Sequence, residues 1–117
     1  MLSLPPSTRI LLCTEVTDMR RGFDGLAAMT RETVGADPLS GHLFVFRNRR
    51  GDRMKILYWD RDGFALWYKR LERGTFRFPA PSDGAHSVEV DHATLTLILQ
   101  GIDVRDARRQ RRYQRSA

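Results

Sequence analysis

Two runs rich in β-branched and aromatic residues, Leu43 to Phe46 and Met54 to Trp59, flank a seven-residue stretch of Arg, Asn, Gly and Asp. This pattern predicts a hairpin with a turn too polar to bury. In the second run Met54, Ile56 and Tyr58 alternate to one strand face and Lys55, Leu57 and Trp59 to the other. Upstream, Arg9 to Glu15 carries Ile10, Leu11 and Leu12 side by side, as a strand covered on both faces would. Thr17 and Asp18 then read as a helix N-cap, followed by Met19, Phe23, Leu26, Thr30 and Val34 on one helical face, with Gly35 as the stop. Gly22 and Gly25 fall inside that helix and should each cost about 1 kcal/mol relative to alanine. A backbone passing close to the sheet is the preferred explanation, a ligand above the helix the alternative.

Beyond the hairpin, Asp60 to Gly63 breaks the strand. Phe64, Trp67, Tyr68 and Leu71 follow at helical spacing, with Gly74 as a stop, which predicts a short helix capped by Asp62; a strand over 64–70 is the competing reading. Lys69, Arg70 and Arg73 would then sit near the C-terminus of that helix and complement its dipole. Thr75 to Phe78 predicts an edge strand closed by Pro79 and Pro81. Val88 to Val90 predicts a short strand, and Asp91 caps a last helix with Leu95, Ile98, Leu99 and Ile102 on its apolar face and Gly101 near its end. These elements predict an α+β fold, a single small domain with a mostly antiparallel sheet of about four to five strands, two to three helices packed on it and a basic C-terminal arm. The domain covers 1–104 and the arginine-rich arm 105–117.

Length supports that reading, since 117 residues with 41% hydrophobic content can build one core. Net charge is +6, and Lys55 and Lys69 are the two lysines among 20 basic residues, leaving 18 arginines. Arginine binds phosphate bidentately and stacks on bases, which favours nucleic acid as a partner. Codon bias explains the ratio as well, but not the clustering. From Arg105 onward six arginines face one aspartate, so the arm carries +5 of the +6 and the body is nearly neutral. Cys13 has no disulfide partner and no zinc-spaced neighbours, and reads as a buried small hydrophobe in a reducing compartment. With no 18-residue apolar run and no leader-like start, the expected location is cytoplasmic, and nucleoid-associated when bound to DNA, with no membrane partner.

Catalytic constellations are sparse. Asp60 and Asp62 could in principle hold a divalent ion at a strand end, a nuclease-like alternative. A third carboxylate has no obvious place, the calcium-loop pattern fails at Gly63 and Leu71, and turn or cap duty is the default. His42, His86 and His92 are scattered, with no serine or cysteine in a nucleophile motif. No glycine-rich phosphate loop occurs, so neither a cofactor, a metal nor a small-molecule substrate is expected.

The basic residues are organised better. Arg20 and Arg21 near the first helix, Arg47, Arg49, Arg50 and Arg53 at the hairpin tip, Lys55 on the strand, Lys69 and Arg70 further on, and Arg105, Arg108, Arg109, Arg111 and Arg112 of the arm could form a phosphate-tracking surface. Tyr58, Trp59, Trp67 and Tyr68 could stack unpaired bases. At least three of the four are expected in the core, with Trp59 the stacking candidate. No recognised DNA-reading motif appears.

The stretches Thr17-Asp18-Met19-Arg20-Arg21-Gly22-Phe23-Asp24-Gly25-Leu26 and Phe44 to Arg53, with Leu57 to Asp60 and Gly63 to Glu72, closely resemble the accessory protein of the insertion sequence 66 transposon family. That family shares the label TnpB with an unrelated RNA-guided nuclease. The resemblance spans about residues 5 to 104. It implies a small protein encoded beside a separate transposase and needed for efficient movement of the element, with no catalytic residues to carry over. Its motif residues match here at Arg20, Gly22, Phe23, Asp24, Arg47, Arg49, Gly51, Asp52, Trp59, Asp60, Trp67, Tyr68, Lys69 and Arg70. Phe78 stands where many relatives have tryptophan, and the arginine-dense end is variable. The expectation is therefore a non-enzymatic transposition factor whose partners are element DNA, the transposase of the same element, or both; a protein-only adaptor is the alternative.

Overall fold

In the computed structural model of the protein, residues 5–102 are described. They form a five-stranded sheet of order β4-β3-β2-β1-β5. The strands are β1 (Ile10–Cys13), β2 (Leu43–Arg47), β3 (Arg53–Asp60), β4 (Gly63–Arg70) and β5 (Ser87–Val90). Only β1 and β2 pair in parallel; the other three pairings are antiparallel. Parallel neighbours need a crossover, and the α1 helix (Phe23–Met29), continued by a π-helical turn (Thr30–Val34), supplies it. The α2 helix (His92–Leu99) follows β5.

Strand alternation divides the core between the two faces. Ile10, Leu12, Val45, Met54 and Ile56 point to the α2 face with Leu95, Ile98 and Phe76. Leu11, Cys13, Phe44, Phe46 and Leu57 point to the α1 face with Leu26 and Met29. The central strands are therefore apolar on both sides, which is why Ile10, Leu11 and Leu12 run together in the sequence. Cys13 is buried, and burial pushes its thiol up from the ordinary range.

Three sequence expectations are corrected. The first helix starts at Phe23 rather than after Asp18, with Gly22 at the N-cap and no side-chain cap. The Lys55 ammonium donates to the Met19 and Arg21 carbonyls at 2.7 and 2.8 Å, and Thr17 N–H donates to Arg47 O at 3.0 Å. The Met19 and Arg21 carbonyls converge on one ammonium instead of lining up along a helix axis, and the helix begins only after them. The helix does end at Gly35, in the left-handed region at φ 77°.

Residues 64–70 are a strand, not a helix. Arg61 and Asp62 make a two-residue turn, with Arg61 at φ 59°, and Asp60 pairs with Gly63. Trp67 packs on one core cluster while Phe64 and Leu66 pack on the other, so both faces are apolar and the helical spacing is coincidental. Thr75 to Phe78 is not a strand either. It crosses the hairpin tip as an irregular segment with Phe76 fully buried and its N–H bonded to Gly51 O at 2.7 Å.

Asp91 caps α2 as expected, accepting from Thr94 N–H at 2.7 Å. No helix among the described residues is long and apolar enough to cross a membrane.

Candidate nucleic-acid interface

Because β1 and β2 run in parallel, their C-terminal ends meet at one edge of the sheet. The loop after β1 (residues 14–22), the β2–β3 tip (residues 48–52) and the segment after β4 (residues 71–78) all gather there. The tip is cross-braced by Asn48. Its side-chain amide donates to Asp52 Oδ1 at 2.8 Å and accepts from Arg53 N–H at 3.0 Å, while its own carbonyl accepts from Gly51 N–H at 3.1 Å. Gly51 takes φ 75°, which a glycine adopts without strain. Leu71 N–H bonds Asp52 O at 2.8 Å and ties the tip to the end of β4.

This bracing decides which cations are available. Asp52 is the only carboxylate of the tip, and it bonds Asn48 rather than an arginine; that bond, more than nearby Arg50 and Arg53, lowers its pKa. Arg49 and Arg50 are exposed, and among the described residues they make no hydrogen bond and no ion pair. Two grooves flank them. One, of about 510 Å³, lies between the tip and Val16 to Met19; the other, of about 370 Å³, lies between the tip and Thr75 to Phe78.

The remaining predicted cations differ. Arg47 is half-buried, donates to Phe76 O at 3.0 Å and stacks on Phe78 with its carbon 4.2 Å from the ring centre; burial lowers its pKa. Lys55 is buried and clamps the loop, its ammonium also 4.7 Å over the Tyr68 ring. Arg20 and Asp18 form an exposed forked pair, which pulls the Asp18 carboxyl down to about 2 and raises the Arg20 pKa. Arg21 bonds Gly25 O at 3.3 Å and remains exposed. Arg53 is half-buried and reaches the Tyr68 hydroxyl at 3.4 Å. Arg70 pairs with Glu72 at 2.9 Å, and that contact raises its pKa. Lys69 donates to Leu99 O at 2.8 Å, so it does complement a helix C-terminus, that of α2.

Arg105, Arg108, Arg109, Arg111 and Arg112 lie outside the described residues. The described chain ends beside this same edge, since a side chain on Gly101 would meet Leu71 and Thr75.

The four aromatics differ in exposure and position. None of the four aromatics is fully buried, and Tyr68, 48% exposed, stands beside Arg53 and Lys55. Trp59 packs edge-on against Phe64, centroids 5.1 Å apart, by the β3–β4 turn at the opposite end of the strand. The six strand residues 53–58, roughly 20 Å of strand, separate it from the tip. Sequence reasoning named Tyr68 only as one of four possible stacking aromatics, without its place beside Lys55, and did not single out Asn48. Once 64–70 is read as a strand closed by a two-residue turn, the pairing of Lys55 with Tyr68 follows by counting.

Among the described residues no three His, Cys, Asp or Glu side chains gather as a metal cluster.

Residues 8–109 match the protein family described as IS66 Orf2 like protein, which takes in the tip, both its grooves and the whole sheet. The chain is 41% identical over 105 residues to the uncharacterized protein y4hO of Sinorhizobium fredii, covering 90% of each chain. It is also 41% identical over 95 residues to y4jC of the same organism, covering 81% of this chain and 80% of the relative. No solved structure matches. A family defined by an insertion sequence implies a transposition-associated accessory role, and with a match of that extent and two relatives of nearly equal length, the chain belongs to the IS66 Orf2 like family.

Proposed function

We propose that this accessory protein makes and breaks no bonds itself, and engages the DNA of its element through the hairpin tip while the transposase is its protein partner. The observation that carries the reading is the state of Arg49 and Arg50: exposed, in no hydrogen bond or ion pair among the described residues, on a loop whose own acid is hydrogen-bonded by Asn48. A rigid tip presenting two unpaired guanidinium groups meets phosphate without first breaking an internal ion pair. Arg21 and Arg53 extend the charge to either side, and the chain leads from the same edge toward the six arginines beyond residue 104. Such contacts supply affinity and register but no sequence readout, which the transposase would have to provide.

Titrating a terminal-repeat duplex at several salt concentrations tests this. Affinity should fall steeply with salt, and Arg49→Ala with Arg50→Ala should flatten the logarithmic slope by about 2, near 0.9 per lost phosphate contact. An unchanged slope and affinity overturn the DNA contact. The Asp18–Arg20 and Arg70–Glu72 pairs favour a second reading, a protein-only adaptor whose arginines are partly structural. In that case the double variant loses co-purification with the transposase in nuclease-treated extract and retains whatever weak DNA affinity the chain has.

A further inference from the structure

The outer strand β4 pairs with β3 on one side only. Asn48 N–H donates to Arg53 O at 3.2 Å, so odd-numbered residues of β3 turn their backbone toward β2 and even-numbered ones toward β4. Through the register of Asp60 with Gly63, the odd residues of β4 face β3, in agreement with the bond from Leu71 N–H to Asp52 O. The N–H and C=O groups of Phe64, Leu66, Tyr68 and Arg70 therefore point outward, and among the described residues they have no hydrogen-bond partner. The strand has eight consecutive residues in register, with no bulge and no proline, and charge only at its last two positions. An edge of this kind is a template for another strand.

We propose that the occupant is a second copy of this chain, paired antiparallel along β4 about a two-fold axis at Leu66. The side chains select that register. With Leu66 opposite Leu66, Phe64 lies across from Tyr68 of the second copy and Tyr68 from Phe64, giving two aromatic cross-strand pairs. Arg70 comes up beside Asp62 in the second copy's turn, and the reciprocal pair forms at the other end. Shifting by two residues one way places Arg70 opposite Phe64 and leaves the turn acids unopposed; shifting the other way places Tyr68 opposite Asp62 and Leu66 opposite Phe64, and in both cases the aromatic pairs are lost. Arg70 has reason to accept a carboxylate, because within its own sheet it stands directly opposite Arg53, and its internal partner Glu72 is an exposed loop residue. Tyr68, 48% exposed in the single chain, is covered by the pairing.

The inference does not depend on DNA binding, but it changes the geometry of such binding. Antiparallel pairing joins two five-stranded sheets into one and turns the two hairpin tips to opposite ends. The dimer then presents two separate basic poles, suited to holding two duplex segments apart rather than clamping one.

Sedimentation velocity of the full chain over a wide concentration range tests the pairing, with amide hydrogen exchange at Leu66 and Tyr68 as a second readout. A monomer–dimer equilibrium is expected, and these two amides should slow as the dimer forms. Arg70→Asp and Asp62→Arg should each weaken the dimer by about tenfold or more, and the double variant should restore it. A chain that sediments as a monomer at every concentration overturns the proposal. Slow Leu66 and Tyr68 amides in such a monomer would show that the chain's own arm covers the edge. A dimer indifferent to both single changes, or not restored by the double one, overturns it as well.

Discussion

Lys55→Met should remove the device that shapes the loop after β1. The lysine is 7% exposed and its ammonium donates to two backbone carbonyls, Met19 O and Arg21 O, with the Tyr68 ring beneath it. Hydrogen bonds from a charged donor contribute about 1.5–3 kcal/mol each, so two are worth about 3–6 kcal/mol. Against this, methionine avoids the desolvation of an ammonium, fills most of the same space and can place its sulfur against Tyr68. The two carbonyls belong to a loop at the sheet edge, where water can replace the lost donor. The net loss should therefore be about 2 kcal/mol.

Urea denaturation reads this as a lower midpoint at unchanged slope. Hydrogen exchange locates it: the Arg21 amide, bonded to Asp18 O at 3.1 Å, should exchange much faster, while the central strands keep their protection. Arg20 and Arg21 would lose their fixed positions, so the DNA affinity proposed above should fall although neither residue is altered. A variant with the original midpoint and an unchanged Arg21 amide refutes the reasoning, and the loop would then owe its shape to Thr17 and Asp18 alone.

The Asp18 carboxyl should titrate near 2 by NMR, and Arg20→Ala should return it toward the ordinary value of about 3.9. Because the folded pKa is the lower one, the pair is fully formed above the ordinary range and is lost as pH falls toward 2. Phe76→Ala, at a fully buried ring beneath the tip, should cost about 3–5 kcal/mol by thermal or urea unfolding, and a loss under 1 kcal/mol would mean the segment is not anchored there. Gly51→Ala places a Cβ 3.3 Å from Thr75 Cβ at φ 75° and should cost about 1–3 kcal/mol, while Gly84→Ala, with φ 74° but open space around it, should cost less.

The hairpin, the double-faced first strand, the Asp91 cap and the Gly35 stop were legible because each is set by neighbours in sequence. The errors have a common physical origin. Thr17 and Asp18 look like a cap until Lys55, distant along the chain, draws the Met19 and Arg21 carbonyls onto one ammonium and the helix begins only after them. Phe64, Trp67 and Tyr68 fit a helical face until both faces of a strand are apolar, which erases the alternation that would identify it. The site shows the same limit. Charge clustering located the tip, but composition does not tell an exposed Arg49 from an Arg47 folded back onto Phe78.

That separation of Arg47 from Arg49 and Arg50 follows from strand parity and the parallel pairing of β1 with β2. Parity points Arg47 to the α2 face, where Phe76 and Phe78 receive it, while the turn carries Arg49 and Arg50 clear of both faces. Had β2 returned antiparallel to β1, the loop holding Arg20 and Arg21 would lie at the end opposite the tip, near Trp59. The α1 crossover instead brings the ends of β1 and β2 to one edge, and Lys55 fixes the intervening loop there. Thr17 N–H on Arg47 O then joins loop and tip directly. Cations far apart in sequence become one surface through backbone hydrogen bonds, and among the described residues Arg49 and Arg50 are left out of any ion pair.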